Sequence, residues 1–144
     1  QRKGEKMMLE HMVEMDLIKL IGLEVKKSFL YEGSIYLDCK QGIYVLVPVG
    51  DCCSICYINN IDGADALNDS EILSIENLEL TSNEIDDDHN HEVIEVWGHK
   101  IKTTKGYCSI EMRLEHNGYY SGVLDMFKSD EDIPAEATKL VDFY

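Results

Sequence analysis

Apolar positions change period at Gly22. Before it, Met8, Met12 and Met15, with Leu9, Val13, Leu17 and Leu20, recur at three and four, which predicts an N-terminal helix lying on a core. After it the period is two. Val25, Lys27 and Phe29 share one side of a predicted strand, Gly33 marks a turn, and Ile35, Leu37 and Cys39 alternate with Ser34, Tyr36 and Asp38. Residues 39–42 supply a hairpin turn. Ile43, Val45 and Val47 then share one face while Tyr44 and Leu46 take the other, so this strand is expected to be covered on both sides and central.

Residues 50–68 are the least repetitive part, with a double cysteine, the Asn59-Asn60 pair, Asp62-Gly63 and a short helical segment over 64–67. A strand pattern resumes over 72–80, and 81–92 reads as an acidic loop. In 93–103, Trp97, His99 and Ile101 oppose Lys100 and Lys102. The cleanest alternation sets Cys108, Ile110, Met112 and Leu114 against Ser109, Glu111, Arg113 and Glu115, as in a sheet with one wet face. Lys105-Gly106 is a short link, and Asn117-Gly118 predicts a hairpin pairing this strand with 119–126. The acidic tail is expected to pack through Leu140, Phe143 and Tyr144.

Parallel strands need crossover helices of about a dozen residues, and none fits between 22 and 126, so a doubly wound nucleotide fold is excluded. The expected class is α+β, mostly β: a single domain over 8–144 after a flexible or trimmed terminus at 1–7. It would contain an antiparallel sheet of about five to seven strands, an N-terminal helix and one short internal helix.

Charge narrows the function classes. The chain has 144 residues, with 28 Asp and Glu against 13 Lys and Arg, a formal charge of -15. A phosphate-backbone binder needs a basic footprint, so direct nucleic-acid binding is disfavoured. No apolar run reaches the ~20 residues a bilayer span requires, and there is no signal-peptide pattern. No membrane association is expected. Five cysteines, two of them adjacent, cannot pair completely within one chain, and a reducing cytoplasm is the simpler setting.

Cys53 and Cys56 have the spacing of half a zinc site, which His89 and His91 could complete because alternate residues of an extended loop point to one side. Zinc is the one candidate cofactor. The competing reading is free structural thiols, with Cys39 and Cys108 on apolar strand faces. Asp86, Asp87, Asp88, His89 and His91 could attract a divalent ion but lack the spacing of a calcium loop, and a solvated acidic loop is the simpler account. No pattern selects a catalytic set, neither a phosphate-cradling glycine loop nor a nucleophile elbow, and a non-catalytic role is expected. For recognition, the segment 52–61, including Tyr57, and the Tyr119-Tyr120 rim offer the aromatic and aliphatic centre an interface needs.

The segments DCCSICYINNIDGADAL, EILSIENLEL, VWGHKIKTTKGYCSIEMR and HNGYY resemble a family of small uncharacterised proteins and domains from tailed phages and bacterial genomes. The resemblance covers about 22–124. It points to Asp51, Cys52, Cys53, Ile58, Ile61 and Gly63, then to Thr104, Gly106, Ile110, Arg113, Asn117, Gly118, Tyr119 and Tyr120. Ser54 stands where glutamate is frequent, and Cys56 lies outside the pattern. The resemblance implies a phage-type protein that binds and redirects or inhibits a host protein, and the acidity suits a basic surface on that partner. The alternative is a small-ligand or metal-binding domain centred on Asp51, Cys52 and Cys53.

Overall fold

The computed structural model describes residues 12–51, 54–79, 84–86, 92–116 and 121–144. Eleven strands occur among them: β1 Met12–Met15, β2 Glu24–Tyr31, β3 Ser34–Cys39, β4 Gly42–Gly50, β5 Ile55–Asp62, β6 Ser70–Glu79, β7 Glu84–Asp86, β8 Glu92–Thr103, β9 Gly106–His116, β10 Gly122–Ser129 and β11 Thr138–Lys139. Nine lie on one path, β1-β10-β4-β3-β2-β6-β8-β9-β5, while β11 joins β2 and β7 joins β8. Every pairing is antiparallel. The sheet is therefore larger than the five to seven strands expected. The excess comes from β1 and β11, from the short β7 inside the stretch expected to be an acidic loop, and from β5, an eight-residue strand in the stretch that showed no repeating pattern.

Two halves of this path face each other across one core. Leu37, Leu46 and Met126 from the first half meet Ile101, Ile110 and Met112 from the second, all essentially inaccessible. β4 lies between β10 and β3 and is covered on both faces, as its pattern requires: Tyr44 and Leu46 enter the main core, while Val45 and Val47 form a second cluster with Phe127. The inner positions of β9, from Cys108 to Leu114, are wholly buried, and the paired inner positions of β8 include Trp97 and Ile101.

Four expectations are corrected. First, residues 12–15 are strand β1, paired to β10, and among the described residues of the expected helix only Leu17–Leu20 forms a helical turn, of the 3₁₀ type; Met8 and Leu9 lie outside the described residues. Of the four residues only Val13 intrinsically favours extended backbone, so it is pairing with the β10 edge that overrides the local helical spacing. Second, β9 and β10 do not form a hairpin: β9 pairs with β8 and β5, whereas β10 crosses to β4 and β1. Asn117 and Gly118 themselves lie outside the described residues. Third, Lys27 does not share Val25's side. A bulge between Val25 and Lys27 shifts the register, so Val25 and Ser28 are buried and Lys26 and Lys27 are both exposed. Fourth, Phe143 does not pack inward but is 61% exposed on α1, Leu140–Phe143, while Leu140 is fully buried. The short internal helix does form, as a 3₁₀ turn over Ala64–Leu67.

Two close approaches fix the geometry. Gly63 has φ 76, and a Cβ there would sit 2.2 Å from the Tyr107 carbonyl oxygen, so the turn before Ala64 packs directly on the β9 backbone. Gly122, paired with Gly50, faces Cys56, and an added Cβ would lie 3.0 Å from the Cys56 Sγ and 2.9 Å from Leu114. This contact brings β4 and β10 of the first half against β5 of the second.

Gly63→Ala is expected to lower unfolding free energy by about 3 kcal/mol or more, because backbone must move as well as adopt strained φ. Gly33→Ala, in open space at φ 77, should cost only about 1 kcal/mol. Urea denaturation of the two variants checks the order; equal losses would contradict the packing assigned to Gly63.

Candidate functional site

The corner where the halves meet is built around Asp51. Its Oδ2 accepts the Ser121 backbone N–H at 2.9 Å and lies 3.3 Å from the Ser121 hydroxyl, which donates to it, and the Asp51 N–H donates to the Ser121 carbonyl at 3.2 Å. The Asp51 carbonyl in turn accepts from the Ser54 hydroxyl at 2.8 Å and the Ser54 N–H at 3.0 Å. One carboxylate and its own backbone thus tie the loop after β4 to the start of β10. The residues flanking 52–53 and 117–120 are brought together by this tie, although they are 70 positions apart. Cys52, Cys53, Tyr119 and Tyr120 themselves lie outside the described residues, as do His89 and His91.

Cys56 sits beneath the same corner, its thiol 3.8 Å from the Val123 carbonyl. Burial pushes its pKa up to about 11, against backbone hydrogen bonding at Val49 and Val123, which pulls the other way. A thiol held neutral is a poor nucleophile and must lose a proton before it can ligate a metal. Cys39 and Cys108, inside the core, are pushed up to about 12, chiefly by burial. Among the described residues no group of three or more His, Cys, Asp or Glu could hold a metal ion. The four residues expected to form a zinc site include only Cys56 in that set.

Tyr57 points away from this corner, because neighbouring positions on a strand take opposite faces. It lies across from Arg113 on the outer side of β9, where burial and the Glu115 carboxylate raise its pKa. Arg113 Nε is 3.5 Å from Glu111 Oε2, and the same carboxylate accepts from Asn59, the residue displaced by a second bulge between Ile58 and Asn60. The Arg113–Glu111 contact is an ion pair only, because the buried Arg113 Nε makes no hydrogen bond among the described residues. Of the other positions singled out by resemblance, Ile61 and Ile110 are core, and the Thr104 hydroxyl accepts the Glu71 N–H at 3.0 Å.

A different part of the surface forms a groove of about 560 Å³. It runs between the β2–β3 turn, the β5 bulge and the C-terminal segment, and its aromatic lining is Tyr31, Phe143 and Tyr144. Phe143 and Tyr144 meet edge to face, with centroids 4.9 Å apart. The groove's carboxylates are Glu32 and Glu136. Their charge reaches the rings: Tyr31 is pushed up first by Glu32, then by burial and by Glu136, and Tyr36, behind it, by burial and then Glu32. Sequence reading overlooked this groove. Tyr31, Glu32 and Glu136 form no motif, and only the exposed Glu32-Gly33 turn hinted at a presented carboxylate.

The fold and these surfaces define a small acidic, nearly all-β domain in which two halves of one antiparallel sheet enclose a core. The chain belongs to the family described as Domain of unknown function (DUF7448), whose profile matches residues 6–126, a longer stretch than the resemblance suggested. No curated protein and no solved structure matches it. Among the described residues no helix is long and apolar enough to cross a membrane.

Thiol behaviour tests the site geometry. With Cys52 and Cys53 replaced by serine, the remaining thiols should react with iodoacetamide at pH 8 far more slowly in the folded chain than in urea. Because the ordinary thiol value of 9.0 is raised on folding, the stability this contributes is full below pH 9. It falls as pH rises through about 11 to 12, where the unfolded chain is already ionised. A denaturation midpoint that rises between pH 9 and 11 in this variant would contradict burial of the three thiols.

Proposed function

We propose that this chain is a non-catalytic acidic binding protein that engages a basic segment of a partner protein through the groove between Tyr31 and Phe143. The observation that carries this reading is the pairing of aromatic faces with carboxylates in one groove. Lysine and arginine are suited to such a surface, since their cationic heads gain from ring faces and donate to carboxylates, while their stems cover apolar lining. The formal charge of -15 adds long-range attraction that raises the rate of encounter without conferring specificity. The resemblance described above implies a host protein as the partner.

A second reading, a small-ligand or metal site centred on Asp51, Cys52 and Cys53, is favoured by the tie between Asp51 and Ser121, which draws the two motif-bearing segments toward one corner. Against it, the Asp51 carboxylate is already engaged and the Cys56 thiol is held neutral. Elemental analysis and native mass spectrometry of the purified chain separate the readings, since a stoichiometric ion or small molecule lost on replacing Cys52 and Cys53 belongs only to the second.

For the first reading, affinity capture at low and physiological salt should recover a partner with a basic surface, held less tightly as the Debye length shrinks from about 30 Å to about 8 Å. Glu32→Gln combined with Glu136→Gln should weaken that complex by about tenfold, mostly through slower association. A partner retained equally by the double variant, or one whose binding strengthens with salt, would remove the groove from consideration.

A further inference from the structure

On the other side of the C-terminal segment lies a pocket of opposite character. It is small, about 190 Å³, and is lined by Lys26, Lys27, Ser28, Asn68, Lys139 and Val141, with Asp69 at its edge. In a chain with twice as many acids as bases, three lysines converge here. The convergence has a backbone cause. The bulge between Val25 and Lys27 removes the alternation that would send one of two consecutive side chains into the core, so Lys26 and Lys27 are both delivered to the surface. Lys139 comes from β11, which pairs with β2 two residues beyond Lys27 through Lys139 and Phe29.

The polar back of the pocket is fixed. Asn68 Oδ1 accepts both the Ser28 N–H at 2.9 Å and the Ser28 hydroxyl at 3.0 Å, and Ser28 is 2% exposed. With its oxygen oriented this way, the Asn68 amide NH₂ has no partner among the described residues. The Asp69 N–H donates to the Lys26 carbonyl, which pins the bulge. None of the three ammonium groups joins an ion pair among the described residues, whereas Lys40 does, with Glu24.

We propose that this pocket binds the phosphoryl group of a small phosphate monoester, with Lys26, Lys27 and Lys139 neutralising its charge and the Asn68 amide donating to an oxygen. The volume argues for a single group: sites for drug-sized ligands usually run from about 300 to 1,000 Å³. Three compact cations suit a dianion better than a carboxylate, and lysine is a point-charge phosphate ligand. Asp69 is the one acid among the lining residues. Asp38 lies opposite Lys27 on β3, and Glu24 and Glu71 share a neighbouring pocket with Lys26, so the third lysine, Lys139, adds to a charge that these acids partly offset. This inference is independent of the groove and of the partner proposed for it.

The test is a ¹H–¹⁵N NMR titration of the full chain with inorganic phosphate and, separately, with phosphoserine as the monoester. Saturable shifts are expected at the Ser28 backbone amide and the Asn68 side-chain amide. Affinity for phosphoserine should fall at least about tenfold in Lys27→Ala combined with Lys139→Ala, and recover in Lys27→Arg with Lys139→Arg. Lys102→Ala with Lys105→Ala, elsewhere on the surface, should bind as the parent does. Absence of saturable shifts at these amides, or equal affinity in the double alanine variant, overturns the proposal. Sedimentation with vesicles of phosphatidic acid in phosphatidylcholine supplies the other source of the same group. Pocket-dependent binding to those vesicles with none to phosphoserine would overturn the assignment to a small soluble ligand.

Discussion

Strand β2 has one edge fully paired and one that is not, and much of the molecule follows from how the second edge is satisfied. On one side β3 pairs with it from Val25 to Tyr31. On the other, β6 reaches only Glu24 and Val25 before the two halves of the sheet diverge. Buried backbone donors and acceptors left without partners would each be costly. Three devices fill the gap: the Asp69 N–H takes the Lys26 carbonyl, the Asn68 side chain takes the Ser28 N–H, and β11 pairs with Phe29 and Leu30. The 3₁₀ turn over Ala64–Leu67 and the C-terminal helix are held where they are by this edge, with Leu67 and Leu140 sealing the core beneath.

Because the C-terminal segment completes that edge, it also divides the surface. Thr138, Phe143 and Tyr144 line the aromatic and acidic groove, while Lys139 and Val141 line the basic pocket. Strand alternation at Thr138 and Lys139 is enough to separate the two chemistries. The segment lies beyond residues 6–126, so one wall of each surface is built by chain outside the matched family region. Among the described residues, three of those singled out by resemblance contribute to the scaffold. Gly63 permits contact with the β9 backbone, Ile61 fills the core and Asp51 ties the β4 exit to the β10 start. Those motif residues hold the architecture on which the candidate surfaces are mounted.

Local pattern made several elements legible. The inner row of β9 and the two covered faces of β4 could be read because burial alternates with a period of two, whichever strands lie alongside. The buried thiols of Cys39 and Cys108 followed from the same reasoning. Partner choice was not legible. Residues 12–15 carry spacing compatible with a helix, and their strand state depends on a β10 edge more than a hundred positions away. A turn-forming Asn-Gly pair says nothing of whether the flanking strands will stay together, and here β10 joins the opposite half.

The amino-acid order alone set the acid excess, the predominance of extended structure and the division of most strands into buried and wet faces, since these depend on composition and on neighbours within a few positions. Tertiary structure decided the sheet order, the bulges at Lys26 and Asn59, and the placement of Tyr31 beside Phe143 and of Lys27 beside Lys139. Those features arise where a distant segment satisfies an exposed edge, and the free energy of that match is a property of both segments together.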